Sequence, residues 1–240
     1  VTERGGPGSH AAILARALQI PAVSGIPQVH RLLACGTELL VDGHTGVVVA
    51  WPTEETLEEY EASRIVAEEI PRVVGPVEGA LVLANISLAG DVEAAAAMLA
   101  EGIGLYRTEY ELFSAGRLLS EDEQYERYAS VIESMRGKIV TFRLLDVGGD
   151  KTAPFLGLPE ETNPYLGFRG SRVLLARPDL LIPQARALAR VSKLGPIRIL
   201  YPFITNVTGL VELREQFDQA VRDIDSTQIE HGVMLEVPSA

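Results

Sequence analysis

"KIVTFRLLDVGGDK", Lys138–Lys151, is the stretch on which the fold turns. Its first eight residues, Lys138–Leu145, are rich in β-branched and apolar side chains and too few for a stable helix, so they read as a buried strand. Gly148 and Gly149 then mark a turn, and Arg143 stands close to the carboxyl end of the run. Runs of the same kind lie on either side, at Ala80–Ile86, Gly102–Glu109, Ile197–Phe203 and His231–Val237. Helical patterns separate them, over Asp91–Glu101, Glu121–Met135, a stretch beginning near Gly167, Pro183–Leu194 and Thr208–Val221. Apolar strands alternating with helices predict an α/β fold with a parallel sheet covered by helices.

Two architectures fit five such units without a dinucleotide fingerprint: an open doubly wound sheet, or part of a (β/α)8 TIM barrel. Polar residues at the strand ends favour the barrel. Asn85, Arg107, Arg143 and Glu236 each fall at or just after the carboxyl end of a run, and in a barrel those ends converge on one site. A structural alternative is that the arginines pair with local acids such as Glu109 and Asp146.

The first fifth of the chain has a different texture. "GGPGSHAAILARALQIPAVSG", Gly5–Gly25, sets a Ser9–His10 pair among glycines, ahead of a predicted helix over Ala11–Leu18 that Ser9 caps and Pro21 ends. The helix dipole at such a start disfavours a cation and favours an anion, so a neutral His10 can act as a nucleophile that carries a phosphoryl group into the anion site. Gly5, Gly6 and Gly8 permit close approach of the backbone, and Arg16 can add a charge-assisted contact. On chemistry alone, a capping or core histidine in a glycine-rich turn is an equal alternative. "ELLVDG" and "GVVVA" flank a "DGHTG" turn as two strands. An acidic helix starting at Pro52–Thr53 follows, and "PRVVGP" marks a boundary near residue 75.

With 240 residues and a formal net charge of −12, the chain can bury one large core or two modest ones and offers little to nucleic acid. Its single cysteine, Cys35, cannot form an internal disulfide and reads as a small buried hydrophobe in a reducing, cytoplasmic setting. No run approaches a membrane span, and no signal peptide is legible. The chain opens at Val1 rather than methionine and stops just past a strand, so it reads as part of a longer protein.

The Gly5–Gly25 segment resembles the phosphohistidine segment of the phosphoenolpyruvate-utilising enzymes, a family that includes enzyme I of the bacterial sugar phosphotransferase system, phosphoenolpyruvate synthase and pyruvate phosphate dikinase. Gly5, Gly6, Ser9, His10, Ile13, Ala15 and Arg16 match its pattern, as do Ile20–Val23. Gly8 departs from it, because the family usually places there a threonine whose hydroxyl helps hold the phosphoryl group or the imidazole. "GIGLYRTEYELF", "FRLLDVGGDK", "TNPYLGFRGSR" and "GVMLEVPSA" resemble successive barrel segments, and "LVLANI" the first strand, with Asn85 at its end. "YRTEY" and "LLDVGGDK" favour the enzyme I branch, while "GFRGSR" leans towards the synthases.

The resemblance implies the C-terminal part of a swivelling phosphohistidine domain over 1–51, a linker helix over 52–75 and the N-terminal part of a phosphoenolpyruvate-binding TIM barrel over 76–240. It implies His10 as phosphoryl acceptor, Arg107, Arg143 and Arg169 as substrate-binding groups, and Glu236 as a Mg²⁺ ligand. The implied activity is phosphoenolpyruvate-protein phosphotransferase, with a phosphocarrier histidine protein as partner and a homodimer when full length. The alternatives are a synthase- or dikinase-like enzyme and a non-catalytic regulatory homologue. A second metal ligand, a further substrate arginine and a catalytic cysteine belong to later barrel strands in the family. The 240 residues alone are therefore expected to be inactive.

Overall fold

The computed structural model describes residues 1–5, 12, 15, 20–64, 76–149, 154–159, 163 and 167–239, in two compact units, Val1–Arg72 and Val73–Ala240. His10, Gly8, Arg16 and most of the helix predicted over Ala11–Leu18 lie outside the described residues.

In the first unit a short helix, α1 (Val29–Leu32), precedes an antiparallel hairpin, β1 (Leu39–Asp42) and β2 (Val47–Ala50). The hairpin forms where the sequence places it because Asp42 closes the turn. Its carboxylate accepts bonds from the Thr45 hydroxyl and from the His44 and Thr45 amides, which hold its pKa below the usual carboxylate range. Helix α2 (Glu54–Arg64) follows, with Glu54 and Glu55 in its first turn, where the dipole favours acids. Cys35 is exposed, contrary to its expected burial. It sits in the turn after α1, where no apolar layer covers it.

The second unit is built on five parallel strands, β3 (Ala84–Ile86), β4 (Ile103–Arg107), β5 (Val140–Arg143), β6 (Ile197–Tyr201) and β7 (Glu230–Val233). Their spatial order is their sequence order. A doubly wound sheet would reverse direction at a switch point; this one advances by one strand at every crossover, as a barrel wall does. The fold is thus α/β with five strands of a partial (β/α)8 barrel.

The crossovers carry α3 (Asp91–Ala97), α4 (Glu109–Ala115) with α5 (Glu121–Met135), α6 (Ser171–Ala176) with α7 (Pro178–Val191), and α8 (Val207–Ala220). Helix α5 matches its expected span, and a reciprocal cap sets its start. The Ser120 hydroxyl accepts from the Glu123 amide, and the Glu123 carboxylate accepts from the Ser120 amide. Helix α7 begins at Pro178, five residues before the expected Pro183. Pro178 occupies the first helical position, where no N–H is needed, and the helix continues through Pro183. Helix α6 starts at Ser171 rather than near Gly167. Helix α3 ends at Ala97, short of Glu101, because Leu99 turns to φ 58°. The expected strand over Ala80–Ile86 shortens to three residues.

Tyr106, Phe142 and Ile199 point from one face of the sheet into the helical layer, and all are fully buried. The Tyr128 ring of α5 meets those of Tyr106 and Phe142 at 5.9 and 5.1 Å. That face is therefore the outer wall, and the residues alternating with these point inward.

Candidate active site

Arg107 and Arg143 close β4 and β5, and in the parallel register they are direct Cα partners. Their neighbours Tyr106 and Phe142 are also partners and face the helices. Alternation then sends both guanidinium groups to the inner face, on strands about 4.8 Å apart. Sequence and sheet geometry thus bring these two arginines together at the carboxyl ends of the strands.

Their surroundings differ. Arg143 is 5% exposed; it donates to Glu109 and lies 3.5 Å from Asp146. Burial alone would lower its pKa, but the charges of Glu109, Asp146 and Glu236 outweigh that and hold it above the ordinary arginine value. The structural alternative of pairing with local acids is therefore realised for Arg143. Its Nε–H is nonetheless buried with no hydrogen-bond partner among the described residues. Arg107 is half-buried and makes no hydrogen bond or ion pair among the described residues.

Arg169 joins the same cluster from a loop. Its Nη2 donates to both oxygens of Asp146, at 3.3 and 3.2 Å, so this buried carboxylate lies between two guanidinium groups. Two glycines permit the approach. Gly148 has φ 97°, and a Cβ there would sit 2.2 Å from the Phe168 carbonyl and 2.8 Å from Arg169 Cα. Gly170 has φ 53°, and its amide bonds the Val147 carbonyl at 2.9 Å.

Glu236 follows the end of β7 by three residues. Its Oε1 accepts the Phe203 amide at 2.7 Å, while Oε2 takes no hydrogen bond among the described residues. Phe203 also lies beneath Arg169, with 5.0 Å from the guanidinium carbon to the ring centroid. It adopts φ 52°, a sparsely populated conformation for a residue other than glycine. Asn85 is the penultimate residue of β3 and pairs with Leu105 of β4. Among the described residues no group of three or more His, Cys, Asp or Glu could hold a metal ion. Glu236 offers a single carboxylate, which suits Mg²⁺ when substrate oxygens and water complete its shell.

Sequence reasoning misses two residues here. Phe203 carries no signal, because a backbone turn sets its role. Gln184 does carry one: it interrupts the apolar face formed by Leu180, Leu181, Ala185 and Leu188 of α7, where an uncharged polar residue is out of pattern.

No described helix is long and apolar enough to cross a membrane.

Comparison with known proteins gives the same family at both ends of the chain. Residues 62–240 match the PEP-binding domain of PEP-utilising enzymes, and residues 1–46 match their mobile domain. The chain is 36% identical over 255 residues to the phosphoenolpyruvate-protein phosphotransferase of Staphylococcus carnosus, which covers 100% of this chain and 44% of that protein. It is 38% identical over 256 residues to the protein of that name from Latilactobacillus sakei, covering 100% and 45%. It is 39% identical over 249 residues to the multiphosphoryl transfer protein of Rhodobacter capsulatus, covering 100% and 30%. The chain thus spans less than half the length of these relatives. Two matched domains, in order and accounting for nearly every residue, show that the chain belongs to the PEP-utilising enzyme family.

Proposed function

We propose that this chain is part of a phosphoenolpyruvate-protein phosphotransferase. In this reading its second unit binds phosphoenolpyruvate and its first unit presents His10 as the phosphoryl acceptor. The observation that carries the reading is the pairing of Arg107 with Arg143 at the strand ends, with Arg169 coupled to Arg143 through Asp146. Phosphoryl transfer needs positive, forked donors around the moving oxygens and little else from the protein. Arg107 is free to bend towards a phosphate. Arg143 keeps a buried Nε–H without a partner among the described residues, while Glu109 fixes its Nη2.

The reaction follows from these roles. A neutral His10 nitrogen attacks phosphorus as the bond to the enol oxygen breaks, so a P–N bond replaces a P–O bond and pyruvate enolate departs. The arginines neutralise the charge on the transferring group and orient it for in-line attack. Glu236 would hold Mg²⁺, which supplies charge to the substrate's phosphate and carboxylate oxygens when bound. The phosphoryl group then passes to the histidine of a small carrier protein. A dimeric, cytoplasmic full-length enzyme belongs to the same reading, as do domain limits of 1–51, 52–75 and 76–240.

The test is to incubate the full-length protein with labelled phosphoenolpyruvate and Mg²⁺ beside a His10→Ala variant. The reading expects acid-labile label on the parent and none on the variant; equal label on both would remove His10 from the mechanism.

A further inference from the structure

Strand β4 ends at Arg107, and helix α4 begins two residues later at Glu109. The backbone of β5 runs on. Its Leu144 amide continues the ladder towards β6, bonding Leu200 O at 3.0 Å. The Arg143 carbonyl and the Leu145 amide face the opposite edge, where β4 has turned away and offers no backbone partner. Buried groups of this kind must be satisfied by other means.

Two side chains do so. The Thr108 hydroxyl donates to the Arg143 carbonyl at 2.7 Å. The Leu145 amide donates to Gln184 Oε1 at 2.9 Å. Gln184 Nε2 then donates to Thr108 Oγ1 at 2.8 Å, which closes the circuit. Every direction in it is forced. Leu145 N–H can only donate, so the amide presents Oε1 to it and Nε2 to the hydroxyl, whose proton is left for Arg143 O. On the far side Nε2 also reaches Tyr128 OH at 3.3 Å, Tyr128 donates to Gln124 Oε1 at 3.1 Å, and Gln124 Nε2 donates to Leu119 O at 3.0 Å. Gln184 and Thr108 are fully buried.

We propose that Gln184 is a positioning residue that holds the carriers of Arg107 and Arg143 in register, an inference that rests on the phosphoryl-binding reading of those arginines. The circuit engages Thr108, bonded directly to Arg107, and the peptide groups flanking Leu144, bonded directly to Arg143. Beside the Arg143–Glu109 ion pair, which joins side chains, this circuit fastens the end of β4 to the backbone of β5 beyond their ladder. Space filling alone does not call for an amide here, since Leu180, Leu181, Ala185 and Leu188 fill the rest of that face. Without the circuit the end of β4 can slide against β5, and the two guanidinium groups no longer converge on one phosphate.

The experiment uses the full-length protein with phosphoenolpyruvate and Mg²⁺, below the melting temperature of every variant as followed by circular dichroism. Gln184→Leu is expected to lower kcat/KM for phosphohistidine formation by roughly 10–100-fold, the scale of a misplacement near 1 Å. Gln184→Glu supplies a readout that mere core filling would not move. A protonated carboxyl can still donate to Thr108 and accept from the Leu145 amide, giving up only the longer contact to Tyr128, whereas the ionised form only accepts. Burial raises the pKa of the introduced group, so the ratio of variant to parent kcat/KM should fall as pH rises from about 6 to about 9. A kcat/KM within twofold of the parent for Gln184→Leu, or a flat ratio for Gln184→Glu, would overturn the proposal. If Gln184→Leu does not fold, Thr108→Val carries the same test, with the same loss expected and an unchanged kcat/KM overturning it. Arg107→Lys is measured in parallel. A near-normal rate there refutes the phosphoryl-binding reading and the proposal with it. A slow Arg107→Lys beside a normal Gln184→Leu refutes the positioning role alone.

Discussion

Arg107 and Arg143 occupy equivalent positions on neighbouring strands, yet Arg143 is held by two acids and Arg107 by none among the described residues. Arg143 is buried within its ion pairs, whereas Arg107 is half-buried with no ion pair among the described residues. Their substitutions should therefore separate stability from activity.

Arg143→Met removes the cation that offsets buried Glu109 and Asp146, and is expected to cost about 3–5 kcal/mol. Arg107→Met removes no ion pair and should change stability by no more than about 0.5 kcal/mol. Urea melts of both variants check this. Similar midpoints for the two would mean that the acids do not depend on Arg143.

Gly148 tests the approach of Arg169. A Cβ there meets backbone at 2.2 Å, whereas one at Gly116, also left-handed at φ 66°, meets nothing within 4 Å. Gly116→Ala should cost about 1–2 kcal/mol from backbone conformation alone. Gly148→Ala should cost clearly more and weaken phosphoenolpyruvate binding by displacing Arg169. Thermal melts and a binding titration of both variants decide it, and equal costs would contradict the close contact.

His231 on β7 gives a prediction for pH. Burial lowers its pKa to about 4, with Arg214 adding to the shift and Asp218 opposing it, and its Nδ1 lies 3.0 Å from Tyr201 OH. The unfolded chain takes up the proton near the ordinary histidine value of about 6.5. Between those values the unfolded state binds more protons, so stability must fall as pH drops from about 6.5 towards about 4. His231→Gln keeps a polar partner for Tyr201 without titrating. It should flatten that part of the stability profile, and an unaltered slope would assign the acid sensitivity to other groups.

Much of this architecture is legible in the sequence because the central strands β4, β5 and β6 carry buried apolar residues, and β5 is buried along its whole length. "KIVTFRLL" and "IRILYPF" read as mainly apolar runs too short for helices, and the cap at Ser120 fixes the start of α5. Arginines at two strand ends favour a barrel wall, and the sequential strand order agrees. Helix α4 is not legible, because its first turn buries Glu109 and Glu111, carboxylates that pattern reading places in solvent. Their burial depends on Arg143, Arg127 and Tyr106, which lie on other elements. The hold of Phe203 on Glu236 and Arg169 depends on one positive φ, which no residue in "YPFITN" signals.

The central claim is that Arg107 and Arg143 jointly hold a phosphoryl group for transfer to His10. Arg107→Lys in the full-length protein tests it most directly, because Arg107 has no described ion pair whose loss could disturb the fold. The measurement is the rate of acid-labile phosphate incorporation from labelled phosphoenolpyruvate and Mg²⁺. Lysine keeps the charge and loses the fork, so the rate is expected to fall by about 10²–10³-fold with an unchanged circular dichroism spectrum. A rate within a few-fold of the parent would contradict the claim and leave the paired arginines as parts of the barrel wall.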